Sequence, residues 1–230
     1  GVAVVLGPGF AQIEVSGTRV IAGGAARLPV VARTTVDAGL TGFEWAVGVP
    51  GSVGGAVRMN AGGHGAEIRD CLVSAGVVDL GSAVTHEFDP ESLRFGYRTS
   101  SVTTSQLVLE ATFELEPGRA DEGRRRMAEI VQWRRSNQPG GQNTGSVFAN
   151  PPGHSAGRLI DEAGAKGLRI GSARVSPKHA NFIQADEGGS ADDIFELMGR
   201  VAGMVLAAHG IELHAETRLV GFDRRSPGRG

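Results

Sequence analysis

Between Val47 and Gly65 the chain reads VGVPGSVGGAVRMNAGGHG, with seven glycines in nineteen positions. Glycine reaches backbone conformations closed to other residues and lets another backbone or a ligand approach with no Cβ in between, so this segment is expected to fold as packed turns. It belongs to a wider excess. Glycine supplies 36 of the 230 residues, roughly twice its average share. The glycines do not recur at every third position, which excludes a collagen. A hydrophobic fraction of 40%, a charged fraction of 21% and a net charge of −2 describe a folded, loop-rich chain. Its length suits one large or two ordinary domains.

Several classes drop out. The longest apolar run, Val201 to Ala208, is far short of the roughly 18 residues of a membrane helix. Gly1 to Leu6 lacks the basic region and cleavage motif of a signal peptide, and the single cysteine, Cys71, has no intramolecular partner, so a reducing, cytoplasmic setting is expected. The first residue is Gly, not Met, and a Val-rich strand, Val2 to Leu6, follows at once, which suggests a native start further upstream. Residues 1–120 carry 8 basic and 12 acidic side chains and residues 121–230 carry 15 and 13, so the second half is only mildly cationic. That balance does not support a nucleic-acid partner but leaves room for an anionic small molecule. The six histidines form no H-E-x-x-H motif, and a lone cysteine builds no C-x-x-C site, so no metal is expected.

The fold class expected is α+β. Ile13–Val15 and Thr18–Ala22 flank the hairpin signal Ser16-Gly17. Pro29 opens a helix ending near Gly39, with Val30, Val31 and Thr34 on one face. Strands are expected at Leu72–Leu80, Thr85–Phe88 and Gln106–Leu115, the last with Leu107, Leu109, Ala111, Phe113 and Leu115 on one face. Pro117-Gly118 is the expected boundary between a first domain, 1–117, and a second, 118–222, that opens with a charged helix at Asp121–Arg135. Ser155 is expected to cap a short helix, and Ser190 with Asp193 to form a capping box before a long one that Gly210 closes. A strand, Ile211–Val220, alternates next, followed by a disordered tail, 223–230.

Four segments carry possible chemistry. The Val47–Gly65 glycines suit either a phosphate-cradling loop or a purely structural one. They match neither G-x-G-x-x-G nor G-K-[ST]. Arg98, beside Gly96 and the only tyrosine, Tyr97, could clamp a carboxylate or simply lie on the surface. Ser146 follows Gly145 on a tight turn and is either a nucleophile, a proton donor or a turn serine; no G-x-S-x-G elbow surrounds it. Glu216 shares a strand face with His214 and Glu212.

Taken together and in order, GFEWAVGVPGSVGGAVRMNAGGHGAEI (42–68), FGYRTS (95–100), GSVFANP (145–151), RLIDEAGAKGLRIG (158–171), SPKHANFI (176–183) and LHAETRLVGF (213–222) resemble the UDP-N-acetylenolpyruvoylglucosamine reductases, in their compact Y-R-x-S branch. The resemblance implies the remainder of an FAD-binding domain of the PCMH, or vanillyl-alcohol-oxidase, type, followed by a smaller α+β substrate-binding domain. It implies NADPH as co-substrate and FAD as cofactor, used to reduce an enolpyruvyl UDP-sugar in peptidoglycan synthesis by a cytoplasmic, monomeric enzyme. By the same resemblance Arg98, Ser146 and Glu216 are catalytic, with Ser146 as proton donor. Gly48, Pro50, Gly51, Ser52, Gly54, Gly55, Arg58 and Asn60 approach FAD, by backbone amides against its diphosphate, and Tyr97, Arg134, Asn150 and Lys166 approach the substrate. Two departures stand out: Ala149 occupies a position where lysine is usual, and the family's G-G-G-S-N segment has no counterpart, so an N-terminally truncated chain is expected. The rival expectations are a non-catalytic sugar-nucleotide-binding remnant and another FAD oxidoreductase acting on an alcohol.

Overall fold

A computed structural model describes residues 3–222. The chain divides into two compact units between Arg134 and Arg135.

In the first unit, β1 (Ile13–Ser16) and β2 (Arg19–Gly23) form the hairpin expected around Gly17, which sits at φ +59°. There follow α1 (Leu28–Asp37), β3 (Leu40–Thr41), α2 (Val53–Met59), β4 (Gly62–Gly63), β5 (Ala66–Glu67), β6 (Leu72–Asp79), β7 (Thr85–Phe88), β8 (Gln106–Glu114), β9 (Glu116–Pro117) and α3 (Ala120–Asn137). The main sheet has the order β1-β2-β8-β6-β7, with every neighbouring pair antiparallel. Its apolar side packs with the helices around Phe43, whose ring lies 5.4 Å from Trp45 and 5.1 Å from Phe113. Glu44 is buried in this core, and its carboxyl oxygens accept hydrogen bonds from the Thr41 hydroxyl (2.6 Å) and the Gly42 amide (2.9 Å), as a buried polar group requires.

β8 departs from the simple alternation expected of it. Glu110 pairs with Gly76 but Val108 pairs with Val77, so Leu109 is an extra residue that switches the parity of the strand. Ala111, Phe113 and Leu115 are buried as expected. Beyond the bulge Val108 takes the core position, and Leu107 and Leu109 are only half-buried. The α1 face also differs: Leu28, Val31, Ala32, Thr35 and Val36 are buried and Val30 is exposed. Residues 3–6 of the expected Val2–Leu6 strand pair with no strand, and Val2 lies outside the described residues.

The expected boundary at Pro117-Gly118 falls short of the observed one because most of α3 packs on the first unit. Met127 and Ile130 join its core, and a Cβ on Gly123 would come within 2.7 Å of the Val36 side chain. A charged helix with few apolar residues does not advertise which core those few will join.

In the second unit β10 (Gln142–Asn143), β13 (Ile183–Ala185), β12 (Ala173–Val175) and β11 (Arg169–Ile170) form an antiparallel sheet in that spatial order. α4 (Ala156–Glu162) and α5 (Ala191–His209) supply Leu159, Ile160, Leu197, Met198, Val201 and Val205 to its core. The Ser155 hydroxyl caps α4, accepting from the Arg158 amide, and Gly210 ends α5 at φ +67°. At the start of α5 the Ser190 hydroxyl accepts from the Asp192 amide, but Asp193 does not close the expected box. Its carboxylate instead accepts from the Ser172 amide (2.6 Å) and hydroxyl (2.7 Å), bonds that hold its pKa below the usual carboxylate value. A tertiary partner has outbid the local one. The expected disordered tail, 223–230, lies outside the described residues.

Candidate active site

The glycine-rich segment is more ordered than a set of turns, since its middle is α2. The Ser52 hydroxyl caps this helix, accepting from the Gly55 amide at 3.4 Å, and Asn60 ends it in the left-handed region at φ +40°. Beside it the first unit holds a cavity of about 450 Å³, whose lining includes Leu6, Gly24, Ser52, Gly55, Arg58 and Val108.

Glycine closes one wall of this cavity by permitting main chains to touch. The Gly24 amide donates to the carbonyl of the bulged Leu109 at 2.6 Å, and a Cβ there would lie 2.2 Å from the Val108 oxygen. The Gly54 amide donates to the Gly24 carbonyl at 2.9 Å. Gly54 and Gly55 therefore do not present a row of donors to a diphosphate, as expected from sequence, because both amides are engaged within the protein. What they present is backbone surface without side chains: a Cβ on Gly55 would meet only the Ser52 hydroxyl, at 3.7 Å. Arg58 is the charged group of the cavity, steadied by a bond from its guanidinium to the Thr103 carbonyl (2.9 Å). A largely apolar, glycine-walled pocket with one guanidinium and one hydroxyl fits part of a flat, anionic cofactor such as FAD.

The other residues expected at the cofactor divide. Pro50 and Gly51 are exposed, and Gly51 sits at φ +127° with nothing within 4 Å of its ideal Cβ position. Gly48 is buried against α3, where a Cβ would lie 2.9 Å from Ile130 and 3.0 Å from Arg134, so its lack of a side chain serves packing. Asn60 is wholly buried and its amide is used internally: Nδ2 donates to the Gly96 carbonyl (3.1 Å) and Oδ1 accepts from the Arg69 amide (3.2 Å). It ties α2 to the Arg98 turn.

In that turn Gly96 and Thr99 exchange main-chain bonds, and Arg98 sits at φ +53°, a conformation that disfavours a side chain. Its guanidinium donates to the Gly62 carbonyl (2.9 Å) and the Asn60 carbonyl (3.4 Å) and lies 5.2 Å from the centre of the Tyr97 ring. Tyr97 is 59% exposed. Arg134 is half-buried near His64, and burial lowers its pKa from the usual arginine value.

In the second unit, the Asn143 side chain accepts from the Gly145 amide, Gly145 turns at φ +86°, and Ser146 is exposed directly after it. The Val147 carbonyl accepts from the Glu216 amide (2.8 Å) and the Thr217 amide (3.3 Å), and the Ala149 amide donates to the His214 carbonyl (2.9 Å). Ser146 and Glu216 thus lie on paired segments. The expected strand Ile211–Val220 shrinks to one bridge, between Phe148 and Ala215. The ladder has no room to extend, since Gly145 turns away at one end and Pro151, which has no N–H, follows at the other. Asn150 bonds to the start of α4, its Oδ1 accepting from the Ala156 amide, and Lys166 pairs with Asp161 at 2.8 Å. His179 has its pKa lowered, first by burial and then by the charge of Lys166. Two residues matter here that the sequence pattern left without a role. Gly24 sits in the cavity wall, and buried Asn181 lies in the motif SPKHANFI, where an asparagine between apolar neighbours was the available signal.

Comparison with known proteins fits this arrangement. Residues 1–88 match the family described as FAD binding domain, and residues 136–220 match the C-terminal domain of UDP-N-acetylenolpyruvoylglucosamine reductase. The protein is therefore a flavin-dependent oxidoreductase built from an FAD-binding domain and a reductase C-terminal domain. It is 44% identical over 225 residues to UDP-N-acetylenolpyruvoylglucosamine reductase of Paramagnetospirillum magneticum, covering 97% of this chain and 73% of that relative. With the Staphylococcus haemolyticus enzyme of the same name it shares 43% identity over 212 residues, 91% of this chain and 69% of the other. The crystal structure of UDP-N-acetylenolpyruvylglucosamine reductase from Thermus caldophilus superposes with a TM-score of 0.80 at 38% identity, covering 90% of this chain and 74% of that one. The chain belongs to the UDP-N-acetylenolpyruvoylglucosamine reductase family.

Proposed function

We propose that this protein reduces the enolpyruvyl group of UDP-N-acetylglucosamine enolpyruvate to the lactyl ether of UDP-N-acetylmuramate, a precursor of peptidoglycan, at the expense of NADPH. Bound FAD supplies the two-electron carrier that the chain's own side chains lack. Ser52, Arg58 and the bare backbone of Gly54 and Gly55 would hold it. Reduction at C3 of the enolpyruvyl group leaves negative charge shared between C2 and the substrate carboxylate. Arg98 neutralises that charge. Ser146 donates the proton to C2, and Glu216 orients or shares protons with the enol form. Serine is a weak acid, so this role demands a fixed position against a strongly basic carbon. Tyr97, Arg134, Asn150 and Lys166 would take the UDP-sugar.

The observation that carries this assignment is the main-chain bond from Glu216 to Val147, which joins the segments bearing the two proton-handling side chains. No helix among the described residues is long and apolar enough to cross a membrane, and a net charge of −2 gives no footprint for nucleic acid. We assign the protein to the cytoplasm, as a monomer, serving cell-wall growth and through it cell shape, the cell cycle and division. Titration with FAD followed by NADPH tests the whole reading. A flavin spectrum, and multiple-turnover NADPH oxidation only when the enolpyruvyl sugar is present, are expected. No flavin spectrum and no turnover overturn it, and sugar-nucleotide binding without FAD identifies a remnant.

A further inference from the structure

Asn181 is 4% exposed. Its Nδ2 donates to the Phe148 carbonyl (2.8 Å) and its Oδ1 accepts from the Phe148 amide (3.0 Å), while its own carbonyl accepts from the Val147 amide (2.9 Å). One side chain thus supplies Phe148 with the pair of bonds that a neighbouring strand would give. On its other side the same stretch is bonded to His214, Glu216 and Thr217. Asn181 is itself steadied, its amide donating to Nδ1 of His179 at 3.3 Å. Both residues next to Ser146 on its C-terminal side are held through Asn181, and Glu216 is joined to one of them.

We propose that Asn181 is a positioning residue for the reduction: it fixes Ser146 and Glu216 relative to one another without touching the substrate. The inference rests on the reductase assignment above. Truncating the side chain leaves the buried N–H and C=O of Phe148 without partners, so the stretch must relax to find others. A misplacement of about 1 Å at a proton donor is enough to slow its step about 10²-fold.

The test uses the FAD-loaded protein and separates the two half-reactions. In Asn181→Asp, which keeps the shape and the acceptor but loses the donor, reduction by NADPH should be unchanged. Oxidation by the enolpyruvyl sugar should fall about 10- to 10²-fold in kcat, with KM changed less than about threefold. In a Ser146→Ala background Asn181→Asp should add less than about twofold, since it acts through Ser146. Hydrogen exchange on Asn181→Ala, which removes donor and acceptor together, gives a readout independent of turnover: the Phe148 and Glu216 amides should exchange faster, while those of Val175 and Ala165 should not. Equal slowing of both half-reactions, or full additivity with Ser146→Ala, overturns the positioning role. If Asn181→Asp fails to fold, Asn181→Ser, which retains a short hydrogen-bonding group, is read in the same way. A wild-type protein that never reduces the enolpyruvyl sugar overturns the reductase assignment instead, and unchanged exchange in a folded variant overturns the clamp alone.

Discussion

The Arg98 turn and the Ser146 turn solve one problem by different means. Arg98 is held through its own atoms, with its backbone in the left-handed region and its guanidinium donating to the carbonyls of Gly62 and Asn60. Ser146 has a glycine to take the unfavourable conformation before it and relies on the next two residues for its place. Each turn also leans on a buried asparagine: Asn60 reaches Gly96 in the first unit, and Asn181 reaches Phe148 in the second. In the proposed roles, a side chain that holds an anion tolerates being tied at its charged end, because a guanidinium has donors to spare. A hydroxyl proposed to give up its proton is better left untied, with the restraint on the backbone.

Substituting the two side chains proposed to act tests this contrast most strongly. Ser146→Ala should leave flavin reduction by NADPH intact and slow the sugar half-reaction by about 10² or more in stopped-flow traces. Arg98→Ala should slow that same half-reaction by about 10²- to 10³-fold and also raise KM, because the group meets charge already present in the substrate. Equal effects on both half-reactions would remove the division of labour.

A backbone contact comes next. Gly24→Ala puts a Cβ against the Val108 carbonyl, so a loss of about 1–3 kcal/mol in urea unfolding is expected together with weaker FAD binding; Gly55→Ala, with open space around it, should leave stability nearly unchanged. Asn60→Ala should cost about 1–3 kcal/mol by thermal unfolding, since the Gly96 carbonyl and Arg69 amide lose their partner, and it should impair the Arg98-dependent half-reaction.

Smaller effects come from titration. His179 in the second unit and His64 in the first both have pKa values pushed below the usual 6.5, by burial first and then by Lys166 and Arg134 respectively. Below that pH the unfolded chain takes up protons that the folded sites resist, so stability should fall as pH drops from 7 towards 5. His179→Gln should flatten that slope in urea midpoints measured across the range. Least of all, Cys71 has its thiol pushed up to about 12 by burial and then by Asp70, and should resist iodoacetamide at pH 8 until the protein is unfolded.

Much of this was legible in the sequence because it depends on neighbours along the chain. The β1–β2 hairpin, the apolar stripe of α5, the Ser155 cap and the Gly210 stop all follow from side-chain period and local backbone chemistry. The ordered motifs likewise pointed to the family. What sequence could not carry was any choice between partners far apart in the chain. The Leu109 bulge, the packing of α3 on the first core, the capture of Asp193 by Ser172 and the contraction of the Ile211–Val220 strand to a single bridge each depend on which distant group was in reach. The glycines of Val47–Gly65 show the division most clearly. Their density marked a place of close approach, but only the tertiary structure decided what approaches: main chain at Gly54, a helix at Gly48, and open cavity at Gly55. Glycine specifies the absence of a side chain, and the rest of the fold determines what fills the space.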